Sequence, residues 1–122
     1  MQIDMPLLKI TMSIPNLNAE QTSLLQAECS SIISKEIGKS LDFVMVLIEF
    51  NQSIYFAQNA EHPAAYLELK NVGQLVPELT NRLSDCLSRT VNLATEIPLD
   101  RIYIEFQESA RHHWGWNGKT FH

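Results

Sequence analysis

The order of hydrophobic periodicities predicts an α+β fold: two strand-helix-strand units joined in one four-stranded sheet, with both helices on a single face. Three observations carry this. The spacing of apolar residues switches from two to three-and-four and back, and does so twice along the chain. Each helical stretch is bracketed by residues that start or stop helices. The 122 residues suffice for one core and leave little for a second. The reading is one domain over residues 6–122, with pseudo-repeats of about 6–60 and 61–122. Residues 1–5 are read as an extension or as a start placed too early.

Leu8, Ile10, Met12 and Ile14 alternate with Lys9, Thr11 and Ser13, which predicts a first strand over 7–14 with one face toward a core. Pro15 ends it. Asn18, followed three residues later by Gln21, has the form of a capping box. Leu25, Cys29, Ile32, Ile33 and Ile37 then recur at helical spacing, and Gly38 can take the left-handed conformation that closes a helix, so a helix is expected over 19–37. The run Phe43 to Phe50 is almost continuously apolar and rich in strand formers; it predicts a strand buried on both faces.

The second half repeats the order. Ala65, Leu67 and Leu69 mark a strand, Val76, Leu79, Leu83, Cys86 and Leu87 a helix with Pro77 in its first turn, and Ile102, Ile104 and Phe106 a last strand. Strands within each unit should be parallel. Two helices cover only one face of such a sheet, so Phe43, Met45 and Leu47 need another cover, and self-association is the expected one.

A 45% hydrophobic fraction with 19% charged residues excludes a disordered chain. A net charge of −5 without any Lys/Arg run excludes general binding to nucleic acid or to an anionic membrane. No apolar run has membrane-spanning length and no secretory signal opens the chain, so a cytosolic address is expected. Cys29 and Cys86 fall within helical patterns and read as free structural thiols. His62, His112, His113 and His122 form no metal-ligand spacing. Neither a metal nor a cofactor is expected.

Several short motifs remain: Met5-Pro6-Leu7 with Ile14-Pro15, Gly38-Lys39, Pro63-Ala64-Ala65 with Asn71-Val72-Gly73, and Asp100-Arg101-Ile102-Tyr103-Ile104 running on to Trp114-Gly115-Trp116-Asn117-Gly118-Lys119-Thr120-Phe121. With these the chain resembles the macrophage migration inhibitory factor family of the tautomerase superfamily, close to its phenylpyruvate and D-dopachrome tautomerase members, over residues 5–122. The resemblance implies a homotrimer. It also implies keto-enol tautomerisation of phenylpyruvate-like 2-oxo acids, with the secondary amine of an amino-terminal proline, here Pro6, as the base. A receptor partner is not implied by any motif.

A proline amine is a base at neutral pH only where desolvation or a nearby cation disfavours its charged form. Pro6 alone reads as a proline opening an edge strand; inside a longer chain its nitrogen is an amide and has no usable lone pair. The resemblance makes Lys39 the cation that holds the substrate carboxylate, where the residue alone reads as a solvated lysine at a helix end. It makes the Val72 backbone amide a second carboxylate donor and Tyr103 a partner reaching in from a neighbouring subunit. Tyr103 and Glu105 share the sheet face opposite Ile102, Ile104 and Phe106. Glu105 stands where animal relatives have asparagine, and a carboxylate there opposes an anionic substrate.

Leu7, Phe43, Trp114, Trp116 and Phe121 are the expected apolar wall for an aromatic substrate; Phe43 and Trp116 also read as core or interface residues. The two-thiol motif proposed for the animal cytokine falls on Ala64 and Leu67, so that chemistry is absent. A competing reading is a trimer that serves as a binding or signalling module with a silent site.

Overall fold

The alternation at the start of the chain gives β1 (Leu7–Met12), whose even-numbered residues are all buried. This computed structural model describes residues 5–121; most of the expected extension, Met1 to Asp4, and also His122, lie outside the described residues. Asn18 caps α1 (Ala19–Ile37) through a reciprocal box, its side chain accepting from the Gln21 N–H while the Gln21 side chain accepts from the Asn18 N–H. Gly38 closes the helix at φ 79°, a conformation in which a Cβ is strained. β2 (Met45–Glu49), β3 (Ala65–Val72), α2 (Pro77–Thr95) and β4 (Ile102–Ser109) follow.

The strands form one sheet in the order β2-β1-β3-β4. β1 runs parallel to β2, with Leu7 opposite Met45, and β3 parallel to β4, with Ala65 opposite Ile102. The two units join antiparallel through β1 and β3, where Leu7 faces Lys70 and Met12 faces Ala65. Leu8, Ile10 and Met12 of β1 and Leu67 and Leu69 of β3 pack against Leu25, Cys29 and Ile33 of α1 and Leu83, Leu87 and Val91 of α2. Each such aliphatic side chain contributes roughly 1.5–3 kcal/mol by leaving water. Burial pushes the Cys29 thiol up to about 12, with the Glu28 charge adding to it, so it packs as a hydrophobe.

Three expectations need correction. β1 stops at Met12, because the Ser13 side chain takes the place of its carbonyl: the Ser13 N–H still donates to the Ala64 carbonyl at 3.0 Å, but the Ala64 N–H donates to the Ser13 hydroxyl at 2.9 Å. The 43–50 run is a strand only over Met45–Glu49. Phe43 belongs to a 3-10 turn, Leu41–Phe43, and within this chain Met45 and Leu47 are 61% and 40% exposed, since both helices lie on the other face. A C-terminal hairpin, β5 (Gly115–Trp116) with β6 (Lys119–Thr120), was not foreseen. Asn117 and Gly118 at its tip both have positive φ, as the tightest right-twisted hairpin turn requires.

Candidate active site

The expected site residues divide between the two ends of the sheet. At the end where β1 begins, Pro6 is buried and its carbonyl accepts the Met45 N–H at 3.1 Å. Pro6 and Leu7 line an open apolar hollow of about 140 Å³ with Phe43, Met45, Trp114 and Trp116. Trp116 meets the Phe43 ring edge-on at 5.8 Å between centroids. Behind the hollow, Met5, Val72 and Phe121 form a small buried cluster on which Trp114 packs. The C-terminal tail holds this wall in place. The Phe121 N–H donates to the Arg111 and Trp114 carbonyls, both at 3.2 Å, and the Arg111 guanidinium donates to the Phe121 carbonyl at 2.9 Å.

Lys39 follows the glycine that ends α1. Its N–H and that of Gly38 both donate to the Ser34 carbonyl, and the Ser34 hydroxyl donates back to the Lys39 carbonyl. This ties the backbone of Lys39 to the last turn of the helix, and its side chain is half-buried.

Tyr103 and Glu105 lie elsewhere. Tyr103 pairs with Tyr66 at the start of β4. Continuing the β1–β3 register places Pro6 five residues further along β3, about 17 Å away at a strand's rise. One chain therefore does not bring Tyr103 to Pro6. Tyr103 is 63% exposed on the open face, and its ring meets Phe56 at 4.9 Å. With Ile54, Tyr55 and Tyr66 these rings border a second hollow of about 230 Å³. The Tyr66 hydroxyl donates to a Glu105 carboxylate oxygen at 2.5 Å. That bond, with smaller contributions from burial and from the charges of Glu68 and Glu105, pushes the Tyr66 phenol up to about 12.

Two residues that matter here were given no role from the sequence. Arg101 is buried, and its guanidinium donates to the carbonyls of Phe56, Asn59, His62 and Pro63 at 2.9–3.1 Å while lying over the Phe56 ring. It holds the 56–63 loop against β4 and so fixes Phe56 beside Tyr103. Its signal was the Asp-Arg step just before a strand, which carries no meaning without the loop it reaches. Tyr66 alternates with the core residues of β3 and carries no local sign of its role, because its partner Glu105 is 39 residues away.

Two helices on one face of a four-stranded mixed sheet, with a proline opening the strand inside it, is the fold of the tautomerase superfamily. The family described as "Macrophage migration inhibitory factor (MIF)" matches residues 5–122. A macrophage migration inhibitory factor homolog of Brugia malayi is 29% identical over 117 residues, covering 96% of this chain and 99% of that protein. The solved homologue from Prochlorococcus marinus superposes with a TM-score of 0.88 at 34% identity, covering 95% and 99% of the two chains. For Leishmania major MIF2 the TM-score is 0.87 at 28% identity, with 96% and 97% covered. The chain belongs to the macrophage migration inhibitory factor family, and a tautomerase-like or MIF-like function comes with that membership.

Proposed function

We propose that this protein is a cofactor-free tautomerase of phenylpyruvate-like 2-oxo acids, working as a homotrimer with Pro6 as its general acid and base. In the enolisation direction the neutral prolyl amine takes a proton from C3. The C3–H electron pair becomes the C2–C3 double bond as the carbonyl oxygen gains a proton; ketonisation is the reverse. Lys39 and the Val72 amide hold the carboxylate, and Leu7, Phe43, Trp114, Trp116 and Phe121 enclose the aryl group. The observation that carries this reading is the place of Pro6, buried at the rim of a hollow walled by aromatic rings, where desolvation favours a neutral amine.

The separation of the two ends supports assembly with other copies. Tyr103 is exposed and distant from the Pro6 of its own chain, so it assists catalysis only if it enters the site of another copy. Glu105 would come with it, its carboxylate already engaged by the Tyr66 hydroxyl.

Pro6 must be the first residue for this chemistry. With Met5 attached its nitrogen is an amide, and the Met5 side chain packs on Val72 and Phe121. That packing favours a second reading for the uncut chain, a catalytically silent trimer used as a binding or signalling module. Ketonisation of phenylpyruvate and hydroxyphenylpyruvate by three proteins separates the readings: the chain beginning at Pro6, the full 122-residue chain, and a Pro6→Gly chain beginning at residue 6. We expect the first to exceed the others by at least ~100-fold, the usual weight of a positioned acid-base group. Equal rates from the full chain would remove Pro6 as the base.

A further inference from the structure

Among the described residues, Asn71 has a buried side chain whose amide oxygen and nitrogen both lack a hydrogen-bond partner, and it is only 1% exposed. Leaving a buried amide unpaired is costly, and an apolar side chain of the same shape would avoid that cost. Its position gives the amide a use. In the antiparallel β1–β3 ladder the core-facing pairs are Met12 with Ala65, Ile10 with Leu67 and Leu8 with Leu69. The next pair in that register is Pro6 with Asn71, and the one flanking it on the other face is Met5 with Val72, which do pack together. Directly opposed residues on one face have Cβ atoms about 4.5–5.5 Å apart. An asparagine amide reaches across such a gap.

Resting on the reading of Pro6 as the base, we infer that Asn71 is a positioning residue for the prolyl amine. Once Pro6 is the first residue, its nitrogen gains an N–H, and the Asn71 amide oxygen accepts it. This fixes the ring so that the remaining lone pair points out into the hollow, toward the substrate. With Met5 attached the nitrogen has no hydrogen to give, which accounts for the unpartnered amide in the uncut chain.

Asn71 also has Glu108 beside it on β4, but the Glu108 carboxylate is engaged by the Leu75 N–H at 2.6 Å. The other charged or titratable groups on elements meeting at this end are Lys35, Glu36 and Lys39 at the end of α1, Asp42 in the turn before β2, Lys70 on β3, and Arg111, His112, His113 and Lys119 in the tail. All stay unchanged when Asn71 is replaced, so their effects on the amine cancel in the comparison.

The test uses chains that begin at Pro6: the parent, Asn71→Leu and Asn71→Ala, each with isotope-labelled proline, titrated by NMR. A carbonyl acceptor favours the charged amine, so removing it should lower the Pro6 midpoint by about one pH unit in both variants. kcat should fall about tenfold with KM within about twofold, while Asn71→Leu melts no lower than the parent. Midpoints within about 0.3 pH unit of the parent's in both variants overturn the inference, since a merely structural amide would change melting and not the titration. A drop with leucine alone also overturns it, because that is desolvation and not a lost hydrogen bond. A parent inactive on arylpyruvates would sink the proposed function, and the midpoints would still decide the role of Asn71.

Discussion

Two polar residues are buried among the described residues, one near each end of the sheet, and they are treated in opposite ways. Arg101, at the Tyr103 end, donates to four backbone carbonyls and covers an aromatic ring. Asn71, at the Pro6 end, has both amide atoms unpaired. Fully satisfied buried polar groups rigidify a structure, whereas unsatisfied ones cost stability unless something else needs them. The difference separates an end built to hold a loop from an end that keeps a group in reserve for chemistry.

The sharpest way to break that contrast is Arg101→Ala. It would leave four carbonyls to find new donors and would free Phe56 from its cation. We expect a loss of about 3 kcal/mol, read as a lower urea midpoint with unchanged slope. A loss below about 1 kcal/mol would mean that the loop carbonyls are readily served by water, and the contrast with Asn71 would disappear.

The two ends also differ in what they expose. The Pro6 end presents Met45, Phe43 and Trp116, and the Tyr103 end presents Tyr55 and Tyr103. If the ends complete one another in different copies, Met45→Lys should bury a charge at the contact and dissociate the proposed trimer. Sedimentation would then show the mass of a single chain, and arylpyruvate turnover by the Pro6-starting protein would fall at least ~10-fold, with helix content unchanged. A Met45→Lys protein that sediments like the parent would place the contact elsewhere on the open face.

Much of this was legible in the residues because the signals are local. The alternation in β1, the Asn18–Gln21 box and Gly38 each act within a few positions, and they fixed the strand and helix order. The layer argument was also local in origin: two helices leave one face open, and Met45 and Leu47 are indeed on it. Where the reading failed, the determinant was distant. The Ser13 hydroxyl ends the ladder by accepting the N–H of a residue 51 positions away, and Arg101 reaches back to a loop across as many as 45. The C-terminal hairpin is a different case, since Asn117-Gly118 is a strong turn signal, but its arms are two residues each and show no alternation. For the site, the motifs named the residues but not their separation. That Pro6 and Tyr103 lie at opposite ends follows from register, which one sequence does not contain.

The smallest effect concerns the pair that sits beside Tyr103. The Glu105 carboxylate accepts the Tyr66 hydroxyl hydrogen, so ionising the phenol would lose that bond and set two negative charges against each other. The folded pKa of about 12 stands above the ordinary phenol value near 10. Below pH ~10 both folded and unfolded chains keep the proton, and the contribution of the pair is fully present. Between about 10 and 12 the unfolded chain gives up the proton first, so that contribution is lost as pH rises and is gone above the folded value. Ultraviolet titration should therefore show one phenolate forming only near pH 12 in the parent. In Glu105→Gln that step should move down toward the ordinary range, and in Tyr66→Phe it should be absent. The stability difference between Tyr66→Phe and the parent should shift in favour of phenylalanine across the same window. A parent whose Tyr66 ionises in the ordinary range would show that Glu105 is not held by the phenol, leaving its full charge to oppose an anionic substrate in the neighbouring copy.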